Sequence, residues 1–463
     1  MYCKVHLDSH QRVNHYRNFY EITRKDLLFK NVRRMRRTLQ KEGKTQEAAE
    51  YDFMPDTYVL PGEYTIFVDA FKKSQCIWIM KPISQCQGRG IFLVDKLKAV
   101  SDWKDGKVTL DGMTNGNQTS DETNDDEQAV SAATESYIAQ EYISRPLLIG
   151  GKKFDCRIYV LVPSYNPLTV WLCRDAFCRF SSTRFSMSDS DMANSFVHLT
   201  NVAVQKAGPD YDADSGGKWD IRSLKHYLMS KVGEARTNKL FNDIERVIVR
   251  ALLAVQKIMI SDENSFALYG YDILIDADLK VWLLEVNGCP SLTANTPHDY
   301  KLKFDMLSDA LTIIDVEKRL TGNETQVGGW DLIYKNGFIA PTNHSSAYNS
   351  GQPGMKLSSG GIASSLITTG NTQAPDYVSK LGALNNREEQ LPKLWMDLYR
   401  LQQQQSQQYQ SSSSGSATGQ SGTGQAAASG SGPNLSSAAA NTSVPSGAVS
   451  TKPAPKLSFA HPR

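Results

Sequence analysis

Apolar positions recur along the chain in two rhythms. Runs at residues 77–80, 91–94, 137–143, 154–162, 169–172, 267–275 and 281–286 are rich in Ile, Val, Leu and aromatic residues and are bounded by turn formers, a pattern that predicts strands. Between residues 240 and 260 the rhythm changes. Leu240, Ile244, Val247, Ala251, Val255 and Ile258 fall on one face at helical spacing, with Asp243, Glu245, Arg246 and Arg250 off it, which predicts an amphipathic helix. Strand pairs joined by turns, together with such helices, point to an α+β or mixed α/β enzyme.

Both rhythms fade after residue 340. From Leu401 to Arg463 the chain has no Asp or Glu and consists mainly of Gln, Ser, Gly, Ala and Thr, a composition that buries too little apolar area to offset ordering entropy. Leu394, Trp395, Leu398 and Leu401 interrupt it at helical spacing, as a short docking helix or an unpartnered, fraying one. Residues 105–132 hold the acidic run 121–127 and predict a solvated loop. The formal net charge of +2 gives no global field for polyphosphate, which argues against a wholly basic nucleic-acid binder. No run of 18 apolar residues is present, so no membrane-spanning helix is expected. The first residues carry no secretory apolar core, and seven scattered cysteines suggest reduced intracellular thiols.

Three stretches carry candidate chemistry. In WIMKPISQCQGRGI, residues 78–91, Lys81 leaves a strand and a loop with Gly88 and Gly90 leads into the next. Glycines let backbone N–H groups approach phosphate oxygens and lysine adds a point charge, so the loop suits a phosphate-covering flap; a plain hairpin with a glycine turn is the reading the residues alone favour. In YGYDILIDADLKVWLLEVNGCPSL, residues 269–292, pairing outward from a turn near Asp278 and Leu279 sets Asp272 opposite Glu285. Glu285 and Asn287 then share one face, with Leu284 and Val286 on the other. Two opposed carboxylates repel unless a cation lies between them, and three hard oxygen donors suit Mg²⁺; the alternative is an edge hairpin with both carboxylates in solvent. In KKFDCRIYVLV, residues 152–162, Lys153, Asp155 and Arg157 alternate onto one face, either as the wet side of a sheet or as a buried Arg–Asp pair facing phosphates. Arg179, Thr200, Asn201 and Lys218 are uninformative one at a time, and His198 reads as structural.

Taken in order, NHYRNFYEITRKDLLFKN, WIMKPISQCQGRGI, LLIGGKKFDCRIYVLV, FCRF, FVHLTNVAVQK, GGKW, YGYDILID and LLEVNGCPSL resemble the tubulin tyrosine ligase-like family, and within it the tubulin polyglutamylase branch. The resemblance spans residues 11–335. It implies an ATP-grasp (glutathione synthetase-like) α+β fold holding ATP and Mg²⁺ between two lobes. The implied organisation is a partial N-terminal domain with a basic helix (1–62), a catalytic region (63–335), and a mostly disordered low-complexity tail (336–463) with a short helix near 391–401. By resemblance, Lys81, Gln87, Gly88, Gln140, Glu141, Tyr142, Ile143, Lys153, Asp155, Thr200 and Asn201 hold ATP. Asp272, Glu285 and Asn287 ligate magnesium, with Glu285 and Arg157 also catalytic. Arg179, Lys218 and Lys303 bind the incoming amino acid.

The implied reaction activates a glutamate side-chain carboxylate in a tubulin tail as an acyl phosphate, which the amine of free glutamate then attacks. Glycine or tyrosine ligation, or a catalytically silent microtubule- or complex-binding form, are the alternatives. Accessory subunits and a place on the cytoplasmic microtubule cytoskeleton, including cilia, come with the resemblance. An acidic polymer calls for a basic surface, and the run Lys30 to Arg37, with Arg24 and Lys25 before it, provides one. Family members usually carry further residues before NHYRNFYE, so Met1 to Arg12 reads as the start of a shortened form or fragment.

Overall fold

The computed structural model describes residues 6–104, 136–211, 217–339 and 377–414. The predicted acidic loop at 105–132 lies outside the described residues, as do 340–376 and 415–463 of the predicted tail. The chain divides into two units, residues 1–403 and 404–463; of the second, only the end of one helix, as far as Ser414, is described.

The first unit is built on two antiparallel sheets. In the smaller, β1 (Thr57–Leu60), β2 (Trp78–Pro82), β3 (Phe92–Val94) and β4 (Tyr137–Glu141) lie in the order β1-β4-β2-β3. Helices Tyr64–Lys73 and Leu97–Lys104 cover it, and Phe67, Trp78, Met80, Trp103 and Tyr137 fill its core. The larger sheet holds β5 (Leu148–Ile149), β6 (Lys152–Tyr165), β7 (Leu168–Cys173), β8 (Phe177–Phe180), β9 (Lys218–Asp220), β10 (Ala267–Ile275), β11 (Val281–Asn287), β12 (Gln326–Val327) and β13 (Trp330–Lys335).

Strand β6 organises the larger sheet. Along one edge it pairs with β10; along the other, its first half pairs with β8 and its second half with β7. Its even residues Phe154, Cys156, Ile158, Val160 and Val162 enter the main core, against helix Glu234–Gln256. Of its odd residues, Tyr159 and Leu161 enter a second core on the opposite face, beneath helix Pro297–Ile314. With both faces covered, β6 reads as a nearly continuous apolar run after Arg157, as the sequence does.

The predicted helix at 240–260 spans Glu234–Gln256 instead. Its first turns carry polar residues with no apolar period, so periodicity places the start too late. The N-terminal stretch has no separate core: Tyr16, Ile22, Leu28, Val32 and Leu39 share the main cluster with β6 and β10, and Thr57–Leu60 joins the smaller sheet. Helix Lys25–Lys41 packs on helix Glu234–Gln256.

The C-terminal helix runs Arg387–Ser414, well beyond the predicted 391–401, because a Gln-rich stretch has good helical propensity without any apolar period. Leu391 and Leu394 pack against the second core and Leu398 is buried, while Trp395 and Leu401 stay exposed. Ahead of this helix a strap is pinned to the body. Lys225 Nζ donates to the carbonyls of Ser379 and Leu381, both at 3.0 Å, and Arg174 Nη1 donates to Asn386 Oδ1 at 2.6 Å.

Candidate active site

A cleft opens between the two sheets. All eleven residues expected at the nucleotide line it: Lys81, Gln87, Gly88, Gln140, Glu141, Tyr142, Ile143, Lys153, Asp155, Thr200 and Asn201, joined by Arg179, Asp272 and Glu285. Lys81, near the end of β2, is buried and donates to Gln140 Oε1 at 2.7 Å; Gln140 in turn donates to Thr57 Oγ1 at 2.9 Å. Lys153 donates to the Tyr142 hydroxyl at 3.0 Å and the His198 carbonyl at 2.8 Å. Burial pulls both lysines down, Lys81 to about 8 and Lys153 to about 7, with Lys81 repelling Lys153 further. His198 is structural: Nδ1 meets the Tyr142 hydroxyl and Nε2 the Asp191 carbonyl, both at 2.9 Å, and burial followed by the Lys153 charge lowers it to about 4.

Residues 78–91 form a hairpin. Strands β2 and β3 pair antiparallel, and Gln85, Cys86, Gln87 and Gly88 in the loop between them face the cleft. Gly88 has φ +83°, and a Cβ there would lie 2.8 Å from Val204 Cγ2 and 3.2 Å from Asn201 Oδ1. Only glycine allows that backbone so close to the 201–204 segment.

On β10 and β11, Asp272 stands opposite Glu285 as expected, and Asn287 opposite Gly270. The route to that pairing differs from a plain hairpin. Near the turn the register is offset by one, with Ile273 opposite Leu283, and a β-bulge at Leu284 restores it. A bulge sets two residues against one, so Leu284 joins Glu285 on the cleft wall rather than sharing the far face with Val286.

Asp272 is 2% exposed, which excludes the solvent-facing alternative. Arg157 grips it with Nε at 2.5 Å and Nη2 at 3.1 Å, and Arg179 Nη2 reaches it at 2.8 Å. Arg179 also holds Asp155, Nε to Oδ1 at 2.8 Å. Burial alone would raise the Asp272 carboxyl, but Arg157 and Arg179 overcome it and hold the group well below the usual carboxylate range. The wet-face reading of Lys153, Asp155 and Arg157 fails as well, since all three are buried.

Asn287 Nδ2 lies 3.4 Å from Asp272 Oδ2 and 3.3 Å from Glu285 Oε1. Among the described residues no cluster of three or more His, Cys, Asp or Glu side chains is placed for a metal. Two carboxylates and an amide that would have to turn its oxygen toward the ion are a hard donor set that nonetheless fits Mg²⁺, which keeps water on its remaining positions.

The remaining expected residues gather beside the cleft. Lys218 on β9 faces Arg179 on β8 in register. Lys218 and Lys303 both bind Asp299 Oδ2, at 3.0 and 3.1 Å, and both lie over the Phe177 ring. Sequence reasoning missed two participants. Lys25, assigned to the basic run, reaches into the cleft, 3.4 Å from Glu285 Oε2 and 3.2 Å from the Gln85 carbonyl. Asp299 was passed over because Thr296 and Pro297 before it signal only a helix start.

The profile of the tubulin-tyrosine ligase family matches residues 4–322. The chain belongs to that family. Its relatives include a probable tubulin polyglutamylase, TTLL9, of Bos taurus, 45% identical over 405 residues that make up 85% of this chain and 83% of the relative. The probable tubulin polyglutamylase ttll-9 of Caenorhabditis elegans is 44% identical over 72% of this chain and 75% of its own. The probable alpha-tubulin polyglutamylase Ttll1 of Tetrahymena thermophila is 40% identical over 71% and 80%.

Proposed function

We propose that this family member is an ATP-dependent tubulin polyglutamylase: a carboxylate–amine ligase of ATP-grasp type that joins free glutamate to glutamate side chains in the acidic C-terminal tails of tubulin. The observation carrying this reading is the Asp272–Glu285 pair with Asn287 beside it, set in one cleft with Lys81 and Lys153.

Lys81 and Lys153 bind the phosphates of ATP, and the Gln87–Gly88 loop covers them and excludes water, which would hydrolyse an acyl phosphate. Asp272, Glu285 and Asn287 would hold magnesium, whose charge would be neutralising at the phosphates. Arg157 steadies the moving phosphoryl group, and its bond to Asp272 fixes the guanidinium beforehand. Arg179, Lys218 and Lys303 hold the carboxylates of the incoming glutamate so that its amine meets the activated carboxyl. The phosphate leaves from the substrate, so no enzyme nucleophile is required.

Acidic tails meet the exposed Lys30, Arg34 and Arg37 of helix Lys25–Lys41. Arg33 and Arg36 contribute less, being tied to Glu63 and Asp52, each at 2.8 Å. The protein works on the cytoplasmic microtubule cytoskeleton, cilia and basal bodies included, with accessory subunits as further partners. Among the described residues no helix is long and apolar enough to cross a membrane. The deciding test is ATP-dependent incorporation of labelled glutamate into microtubules, with unlabelled glycine and tyrosine as competitors and Glu285→Gln as control. Loss of label in the control, and competition by glutamate alone, are the expected results; incorporation that survives Glu285→Gln would refute the site.

A further inference from the structure

Helix Pro297–Ile314 begins with a reciprocal cap. Thr296 Oγ1 accepts from the Asp299 N–H and Asp299 Oδ2 accepts from the Asn295 N–H, both at 3.1 Å. A capping carboxylate ordinarily rests at the surface, but Asp299 is 4% exposed. Its Oδ2 is crowded, taking Lys218, Lys303 and the Asn295 N–H, while Oδ1 is buried with no hydrogen-bond partner among the described residues. Burial opposes ionisation of Asp299, yet the bonds from Lys218, Asn295 and Lys303 prevail and hold its carboxyl below the usual range. A buried, ionised oxygen without a hydrogen-bond partner is costly, and that position asks for a donor.

A second orphan lies nearby. The Tyr159 hydroxyl, two residues along β6 from Arg157, is also buried without a partner among the described residues. Burial raises this phenol, Arg157 draws it down and Asp299 pushes it up again, which places it within the field of both. Two cations and one free anionic oxygen, arranged around a single carboxylate, complement a molecule with negative and positive groups a few bonds apart. A free amino acid has that form.

We propose that Asp299 is a substrate-binding residue, taking the ammonium group of the incoming amino acid on Oδ1 while Oδ2 keeps Lys218 and Lys303 together for its carboxylates. The proposal rests on the ligase reading above and adds to it the contact that fixes the nucleophile. Selectivity for an amine-bearing diacid then comes from Asp299, and the lysines alone would accept any dicarboxylate.

Calorimetric titration of the full chain, saturated with a non-hydrolysable ATP analogue and Mg²⁺, tests this with L-glutamate against glutarate, which keeps both carboxylates and lacks the amine. The wild type should favour glutamate by about tenfold or more, the worth of a hydrogen bond to a charged group. Asp299→Asn should erase that preference, whereas loss of the helix cap alone would weaken both ligands equally and leave the ratio intact. A preference retained in Asp299→Asn overturns the proposal. Should that variant fail to fold, the wild type still decides, because equal affinity for the two ligands overturns the Asp299 assignment by itself. Binding of neither ligand would overturn it together with the ligase reading.

Discussion

Nucleotide binding should draw protons from solution, and the structure sets how many. Lys81 and Lys153 face the cleft with neutral hydrogen-bond partners, an amide oxygen for one and a phenol and a carbonyl for the other. With pKa values of about 8 and about 7, Lys81 is roughly half protonated at pH 8 and Lys153 roughly one-tenth. Phosphates brought against both ammonium groups restore full ionisation, so binding takes up about 1.4 protons per ATP at pH 8. Affinity must then fall by about 1.4 log units per pH unit around pH 8. Without nucleotide the sign reverses. The unfolded chain keeps both lysines protonated up to their usual 10.5, so above pH 7 it binds more protons than the folded chain, and these two groups make the free protein more stable as pH rises toward 10. Titration calorimetry at pH 8 in buffers of different ionisation enthalpy reads the uptake directly, and Lys153→Met should reduce it to about 0.5. Uptake near zero, or an affinity flat between pH 7 and 9, would refute the placement of these lysines at the phosphates.

Three further outcomes follow from the packing. Asp272→Asn removes the charge shared by Arg157 and Arg179, and urea denaturation of the nucleotide-free protein should show a loss of about 3–5 kcal/mol; a loss below about 1 would mean that the buried arginines find other partners. Gly88→Ala meets Val204 at a positive φ and should raise the KM for ATP several-fold while leaving the melting temperature nearly unchanged, because only the flap is strained. Leu381→Ala, at a fully buried position of the strap, should cost about 2–5 kcal/mol, and a neutral result in chemical denaturation would show that the strap does not dock.

What the sequence made legible was local. The Asp272–Glu285 pairing lies within one hairpin, so counting outward from the turn reaches it, and only the bulge at Leu284 escapes the count. Lys81, Lys153 and Arg157 stand on strands that the apolar pattern locates, but the burial of Lys153 and Arg157, against a wet sheet face, is decided only by the packing. The missing pieces depend on distant contacts. Lys25 meets a glutamate on β11 from the start of an N-terminal helix, and nothing within its own stretch distinguishes it from the arginines that follow. Strands β8 and β9 are short; β8 is placed by pairing with β6 and β9 by pairing with β8, so neither has a signature of its own. The strap at 377–387 adjoins low-complexity sequence, yet it is fixed by Lys225 and Arg174 from elsewhere in the fold.

Strand β6 lays out the proposed reaction as a linear scale. Lys153, Asp155, Arg157 and Tyr159 occupy successive odd positions, roughly 7 Å apart at the usual strand rise, so one face passes from nucleotide to phosphoryl group to amino-acid pocket in sequence order. Inserting or deleting a single residue would turn all four side chains into the main core and bring Phe154, Cys156 and Ile158 out in their place. The amino-acid end of the scale is completed by residues on other elements, Lys218, Lys303 and Asp299. On the proposed roles, a change of amino acid falls on Arg179, Lys218, Lys303 and Asp299, while Lys81, Lys153, Asp272 and Glu285 keep the phosphate chemistry. In that arrangement substrate choice is set mainly by residues off β6, so it can drift with less disturbance to the strand that carries the scale.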